Sequence, residues 1–337
     1  MKVKTALLQE EISAVSKFLT SFNLVYEDDI DHTLYIEDNQ KIIATLSSSG
    51  RIIKCVAVAE SYQGRHLLNT LMTHLIKLLE SQDRDHLFVY TQPEHVDIFK
   101  SLGFKQIVQS MHLSFMERNG LITATLTRLK KKHMIDNTPK GSVVVNANPF
   151  TKGHKHLIEA AAKHHESLIV FVVSEDRSFF PFKDRFEIIK TCFKHQKNIH
   201  IVPTKDYLVS YATFPKYFQK SEETIKKDHA LIDVLTFKQH YMKVFNIQKR
   251  YVGEEPYSPM TEVYNKTMKE YLGNDLVIIE RKTLDTVPIS ASTVRKLLKK
   301  NGLESVRKYV PKETFDYLLS DQGQTVIRRI KHYDKRH

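Results

Sequence analysis

The chain has 337 residues, 41% hydrophobic and 27% charged, a balance that suits a soluble globular protein of two domains. No apolar run approaches the roughly 20 residues that a bilayer span requires, and Cys55 and Cys192 lack the number and spacing for a disulfide framework or a metal cluster. The net charge of +12 is uneven: residues 1–137 hold 16 Lys and Arg against 16 Asp and Glu, whereas residues 138–337 hold 35 against 23. A basic half expects acidic ligands: ATP, an acidic protein or RNA. Both cysteines are expected buried and reduced, and the chain is expected in the cytoplasm with no membrane partner.

In chain order, Leu7, Leu8, Ile12, Val15, Phe18 and Leu19 share one helical face, and Glu10 and Glu11 interrupt any signal-peptide core. Strand-like runs follow at 34–37, 41–47 and 51–59. The last leads through Gln63, Gly64, Arg65 and His66 into a helix over 67–80, then a strand over 86–91, a helix over 94–102 and the pair Gly103 and Phe104. A lysine run at 130–132, closed by Pro139 and Gly141, marks the boundary. Beyond it, short apolar runs (142–145, 167–173, 198–202, 250–252, 276–279) alternate with helical patterns over 153–164, 184–194 and 260–271. That alternation predicts a parallel sheet covered by helices, with ligands at the C-terminal ends of its strands. No G-x-G-x-x-G fingerprint is present, and no repeat or low-complexity segment.

Two segments of the second half carry the chemistry. One runs from a strand through Asn146, Asn148 and Phe150 to Thr151, Gly153 and His154 at a helix start. The other places Ser290, Ser292, Thr293 and Arg295 at a later helix start. Helix N-termini present unpaired N–H groups and partial positive charge, so they favour phosphate. Gly153 allows close backbone approach, and His154 can donate to an α-phosphate oxygen as charge builds there. Ser292 and Thr293 can cap the second helix or give hydroxyls to phosphate, and Arg295 adds a forked cation. Each segment alone also fits an ordinary capped helix; the pair in order is far more specific.

Together the segments have the form T-x-G-H … I-S-x-S-T-x-x-R, which resembles the signatures of the nucleotidylyltransferase superfamily. The first half resembles the GNAT-type acetyltransferase fold, whose loop normally reads R/Q-x-x-G-x-G/A. Here His66 and Leu68 stand at the glycine positions, and Phe99 stands where a tyrosine acid is common, so weak or no transferase activity is expected. The fold class is thus α/β, a GNAT-like α+β domain over 1–137 followed by a Rossmann-like parallel-sheet nucleotidylyltransferase domain over 138–337.

The combination resembles the citrate lyase ligase family, with supporting segments at 146–154, 171–176, 180–185, 212–215 and 252–256. The resemblance implies that ATP and acetate give acetyl-adenylate and pyrophosphate. The acetyl group then passes to the thiol of a dephospho-CoA-type prosthetic group on the acyl carrier subunit of citrate lyase. It implies catalytic roles for Thr151, His154 and Arg295. It also implies ATP contacts from Asn148, Phe150, Gly153, Gly253, Glu254, Ser290, Ser292 and Thr293. Lys183 and Arg185, just after Pro181, are expected as further triphosphate contacts. The first half becomes a binding module for the carrier's arm, through Gln63, Gly64 and Arg65. Mg²⁺ is expected to arrive with the phosphates, with no dedicated metal site. Nucleic acid is disfavoured as a partner. Two rivals are an acetate-activating tRNA-modifying ligase, which would lack the first half, and an adenylyltransferase acting on a cofactor precursor.

Overall fold

The structure, a computed structural model, describes residues 2–332 apart from 177, 209–213, 215–220, 255–258, 281 and 285–286. The expected segment 212–215 therefore lies outside the described residues except for Phe214, as do the ends of the 252–256 segment and of the basic C-terminal tail. The chain divides into two compact units. One comprises residues up to 125 together with 214–235; the other comprises 126–213 and the residues from 236 onward.

The first unit opens with β1 (Val3–Thr5) and α1 (Gln9–Thr20), followed by β2 (His32–Asp38), β3 (Lys41–Ser49) and β4 (Ile52–Val58). Then come α2 (Leu67–Glu80), β5 (Leu87–Thr91), α3 (Val96–Ser101), β6 (Lys105–Gln109), β7 (Ser114–Arg118) and the start of α4 (Ile122–Lys132). Its seven strands run in the order β1-β2-β3-β4-β5-β7-β6. Every pairing is antiparallel except β4 with β5, which are parallel and paired only at Ile52–Phe88 and Ile53–Val89. Just beyond that short pairing, Cys55 takes a positive φ of 53°. The register of β3 against β4 shifts in the same stretch, as a bulge requires.

Alternating side chains of the strands feed two cores. On one face Leu71, Leu75 and Leu79 of α2 pack with Leu46, Ile53 and Val89. On the other, Val15 and Leu19 of α1 pack with Tyr35, Cys55 and Ala57. Leu7 and Leu8 do not join them: α1 starts at Gln9, and both leucines precede it and are exposed. Glu11 instead reaches back to accept from the Leu7 and Leu8 amides, at 2.8 and 2.9 Å. The buried Lys54 ammonium is neutralised by Glu27 at 3.0 Å and Asp29 at 2.8 Å. Phe214 belongs to this unit, its ring 5.3 Å from Tyr90 and 5.0 Å from His229.

The second unit holds β8 (Lys140–Val145), α5 (Lys152–Ala162), β9 (Leu168–Val172), α6 (Phe182–Cys192) and β10 (Ile199–Pro203). Helix α7 (Glu222–Thr236) falls almost entirely in the first unit; it leads into a π turn over Phe237–Tyr241. Next come α8 (Met242–Phe245), β11 (Ile247–Gly253), α9 (Pro259–Leu272) and β12 (Leu276–Ile279). The hairpin β13 (Thr283–Leu284) and β14 (Val287–Pro288) precedes α10 (Ala291–Lys300), α11 (Lys312–Leu319) and α12 (Asp321–His332). Five strands form a fully parallel sheet in the order β10-β9-β8-β11-β12.

The first strand of this sheet in the chain is thus its middle strand. Connections leave β8 toward β9 on one side and return to β11 on the other, which opens a crevice at their C-terminal ends. One sheet face packs on α5 and α6 through Val143, Val145, Val170, Ile158 and Ile189. On the other, Phe237, Tyr241 and Phe245 set their rings edge-on to Phe171 at 6.1, 5.3 and 5.3 Å. No described helix is long and apolar enough to cross a membrane. Cys55 is buried, whereas Cys192, expected to be buried, is only partly so.

Candidate active site

The chain leaves β8 at Val145 and enters α5 at Lys152, so residues 146–151 form the loop at the C-terminal end of the central strand. Thr151 is the N-cap of α5: its hydroxyl accepts from the His154 amide at 3.3 Å. The Thr151 amide in turn donates to Nδ1 of His154 at 3.1 Å, completing a reciprocal capping box. A backbone N–H can only donate, so Nδ1 is the acceptor nitrogen and the neutral ring carries its proton on Nε2. Phe150 stacks on this ring at 5.8 Å and 13°. Phe150 is fully buried, so its side chain supports the histidine from behind rather than facing a nucleotide.

Ser290 is the N-cap of α10, accepting from the Thr293 amide at 3.0 Å. Its hydroxyl also lies 2.9 Å from that of Ser292 and 2.8 Å from that of Thr293. The sequence leaves the cap to Ser292 or Thr293; geometry assigns it to Ser290, because only the residue before the first turn has its side chain beside those amides. A three-hydroxyl cluster therefore sits at the helix start.

The two signature segments are joined. A Cβ on Gly153 would fall 2.6 Å from the Ile289 carbonyl oxygen, so the missing side chain is the space in which the segments meet. Arg295 donates through Nη1 to the Asn148 carbonyl oxygen, and burial holds its guanidinium below the usual pKa. The Lys152 amide is taken by the Tyr309 carbonyl at 2.9 Å. The Gly153, Ala291 and Ser292 amides have no protein acceptor among the described residues. Two helix N-termini thus bring uncommitted donors, hydroxyls and the His154 ring to one place.

Arg185, expected to contact the triphosphate, does something else. It is fully buried and donates to five oxygens: Asn146 O at 2.7 Å, Asn146 Oδ1 at 2.9 Å, Val173 O at 2.9 Å, Phe180 O at 2.9 Å and Glu175 O at 2.5 Å. All three of its nitrogens donate, Nη1 to three of these oxygens and Nε and Nη2 to one each, and burial pushes its pKa down to about 10. It ties the loop after β8 to the loop after β9, a role no local pattern discloses. Asn148 is likewise held, its Oδ1 accepting from the Phe180 amide at 3.2 Å. Lys183 is exposed.

Gly253 ends β11, the neighbour of β8, and a Cβ there would meet nothing within 4 Å. The exposed Glu254 donates its amide to the Ile279 carbonyl at 2.9 Å. In the first unit, Gln63, Gly64 and Arg65 are exposed in the turn before α2. Gly64 has a φ of 76° and open space around it, and the Arg65 guanidinium lies 4.8 Å over the Tyr62 ring. His66, the N-cap, is left-handed and gives α2 no side-chain cap; Leu68 turns toward the core. Phe99 is a core residue, its ring 5.7 Å from Phe104.

The family profile described as the citrate lyase ligase C-terminal domain matches residues 140–318, and that of the acetyltransferase (GNAT) domain matches residues 5–128. The [citrate [pro-3S]-lyase] ligase of Haemophilus influenzae is 35% identical over 320 residues, covering 92% of this chain and 96% of that protein. The chain belongs to the citrate lyase ligase family. The Escherichia coli K12 member is 34% identical over 323 residues, covering 92% of this chain and 90% of its own length. A phosphopantetheine adenylyltransferase of Campylobacter hominis is 24% identical over 173 residues, 51% of this chain and 90% of that enzyme. As a citrate lyase ligase, the chain is an acid-thiol ligase with a GNAT domain ahead of a nucleotidylyltransferase-like one.

Proposed function

We propose that the chain activates acetate with ATP and passes the acetyl group to the prosthetic-group thiol of the acyl carrier subunit of citrate lyase, in the cytoplasm. In the first step an acetate oxygen attacks the α-phosphorus. The bond from that phosphorus to the α,β-bridging oxygen breaks, and pyrophosphate leaves. In the second, the thiol sulfur attacks the acetyl carbonyl, the carbon–oxygen bond to the adenylate breaks, AMP leaves and the thiol proton passes to solvent. The observation that carries this reading is the joining of two phosphate-type helix starts at Gly153 and Ile289 in a chain of this family.

In-line displacement at phosphorus needs positioning and charge stabilisation, not a side-chain nucleophile. Thr151, Gly153 and His154 hold the α-phosphate, with Nε2–H of His154 as the donor that strengthens as charge develops. Ser290, Ser292, Thr293 and Arg295 hold the departing pyrophosphate. Asn148 and Phe150 shape the loop, and Gly253 and Glu254 meet the nucleoside. Residues 1–137 act as a module for the carrier's dephospho-CoA-type arm through Gln63, Gly64 and Arg65; residues 138–337 perform the activation. Among the described residues no three His, Cys, Asp or Glu side chains converge on a metal position. Mg²⁺ would enter bound to the phosphates, where it would neutralise their charge.

Acetate-dependent exchange of labelled pyrophosphate into ATP, without carrier, tests the first step. Exchange that ignores acetate but requires phosphopantetheine would instead support the adenylyltransferase reading, which the similarity over 51% of the chain keeps in view.

A further inference from the structure

We infer that the outer faces of α10 and α12 form the docking surface for an acidic face of the protein that carries the acyl-accepting thiol. This rests on the function proposed above and names where its macromolecular substrate binds. Residues 289–332 hold ten Lys and Arg against four Asp and Glu, a net +6 that is half of the chain's +12. The charge is sorted by face. Val294 and Leu298 of α10 enter a shared core with Val326, Ile327 and Ile330 of α12. Lys296, Lys299 and Lys300 of α10 and Arg328, Arg329 and Lys331 of α12 are exposed. Of the four carboxylates, Glu304 is engaged by Arg307 at 2.9 Å.

Helix dipoles account for part of this. Lys299, Lys300, Arg329 and Lys331 lie in the last turns of their helices, where cations are favoured. Lys296 and Arg328 lie further in, where that benefit fades, so end stabilisation does not explain the whole face. Neither α10 nor α12 contains Phe, Tyr or Trp. Single-stranded RNA binding interleaves aromatic platforms with basic groups, so an acidic protein surface fits better. Position fits as well: at 1.5 Å per residue, Lys296 and Lys300 lie about 9 and 15 Å along α10 from Ser290. A thiol on an extended arm spans that distance from a partner seated on the helix to the phosphate end.

The test uses the full chain with two charge-reversed variants, Lys296→Glu with Lys300→Glu, and Arg328→Glu with Lys331→Glu. Neither touches the residues assigned to ATP. Both should keep acetate-dependent pyrophosphate exchange, and acetyl transfer to free pantetheine, within about twofold of the parent. For the carrier protein, KM should rise about tenfold or more with a smaller change in kcat, and its dependence on ionic strength should flatten. The neutral Lys296→Gln, Lys300→Gln variant should fall between, with an unchanged Tm, which separates lost charge from lost fold. Unchanged carrier KM in both reversals overturns the docking surface; so does unchanged carrier KM with lost retention of bulk tRNA, which would assign the face to RNA. A parent enzyme lacking acetate-dependent exchange would instead overturn the proposed reaction.

Discussion

The carbonyl oxygen of Ile289 fills the place where Gly153 would carry a side chain, 2.6 Å from the position of its Cβ. A glycine expected to make room for phosphate thus makes room first for the segment that opens α10. Backbone on both sides cannot swing aside as a long side chain can. Gly153→Ala should therefore part the two helix starts and destabilise the protein by about 1–3 kcal/mol. It should lower pyrophosphate exchange more than the stability loss alone explains. Thermal melts and exchange rates on one sample check this; a normal melt with normal exchange would show that the contact is slack.

His154→Ala should lower acetyl-adenylate formation by about 10²–10³-fold, the usual cost of one transition-state donor. Because Nδ1 also accepts from the Thr151 amide at 3.1 Å, the variant should lose roughly 1 kcal/mol of stability as well. Near-normal single-turnover chemistry would remove the residue from the mechanism.

Arg295→Ala should weaken ATP and pyrophosphate while leaving AMP nearly unchanged, since Arg295 belongs to α10, whose start carries the Ser290, Ser292 and Thr293 hydroxyls, and not to β11. Calorimetric titration of the three ligands decides it. Equal losses for AMP and ATP would place Arg295 at the α-phosphate or in the loop alone, through its bond to the Asn148 carbonyl.

His133, His165 and His200 are all held below the usual histidine pKa, by burial first in each case and then by neighbouring positive charge from Lys132, His164 and Lys140 respectively. Below about pH 6.5 the unfolded chain takes up these protons more readily than the folded one. Stability should accordingly rise with pH through this window and be lost as pH falls through the depressed folded values. Urea midpoints at pH 7.5 and 5.5 measure it, and His200→Phe should shrink the difference. A higher midpoint at pH 5.5 would contradict the sign.

Much of the second half is legible because its signals are local. A strand, a short loop and a capped helix occupy adjacent residues, so Thr151, Gly153 and His154 announce their own context. What the sequence hides is long-range or degenerate. Three hydroxyls lie within four residues at the start of α10, and only geometry distinguishes Ser290 as the cap. Arg185 looks like a phosphate ligand because it is a cation near a loop; its five acceptors come from residues 5 to 39 positions away. Leu7 and Leu8 continue a helical pattern that the chain does not follow, because the Glu11 carboxylate captures their amides and starts the helix after them.

The membership of residues 214–235 in the first unit gives the chain an unusual itinerary. It passes from one unit to the other three times, near residues 125, 213 and 235, so no single cut separates them. A nick at the first crossing leaves a fragment that still contributes Phe214 and most of α7 to the unit from which it was severed. The two nicked pieces should co-elute on gel filtration and part only in denaturant. A fragment beginning at residue 138 would carry the buried Phe214 without Tyr90, and should aggregate rather than report on activation alone. Interlacing of this kind also makes the pair heritable as a unit: exchanging either half by one recombination event would leave both incomplete.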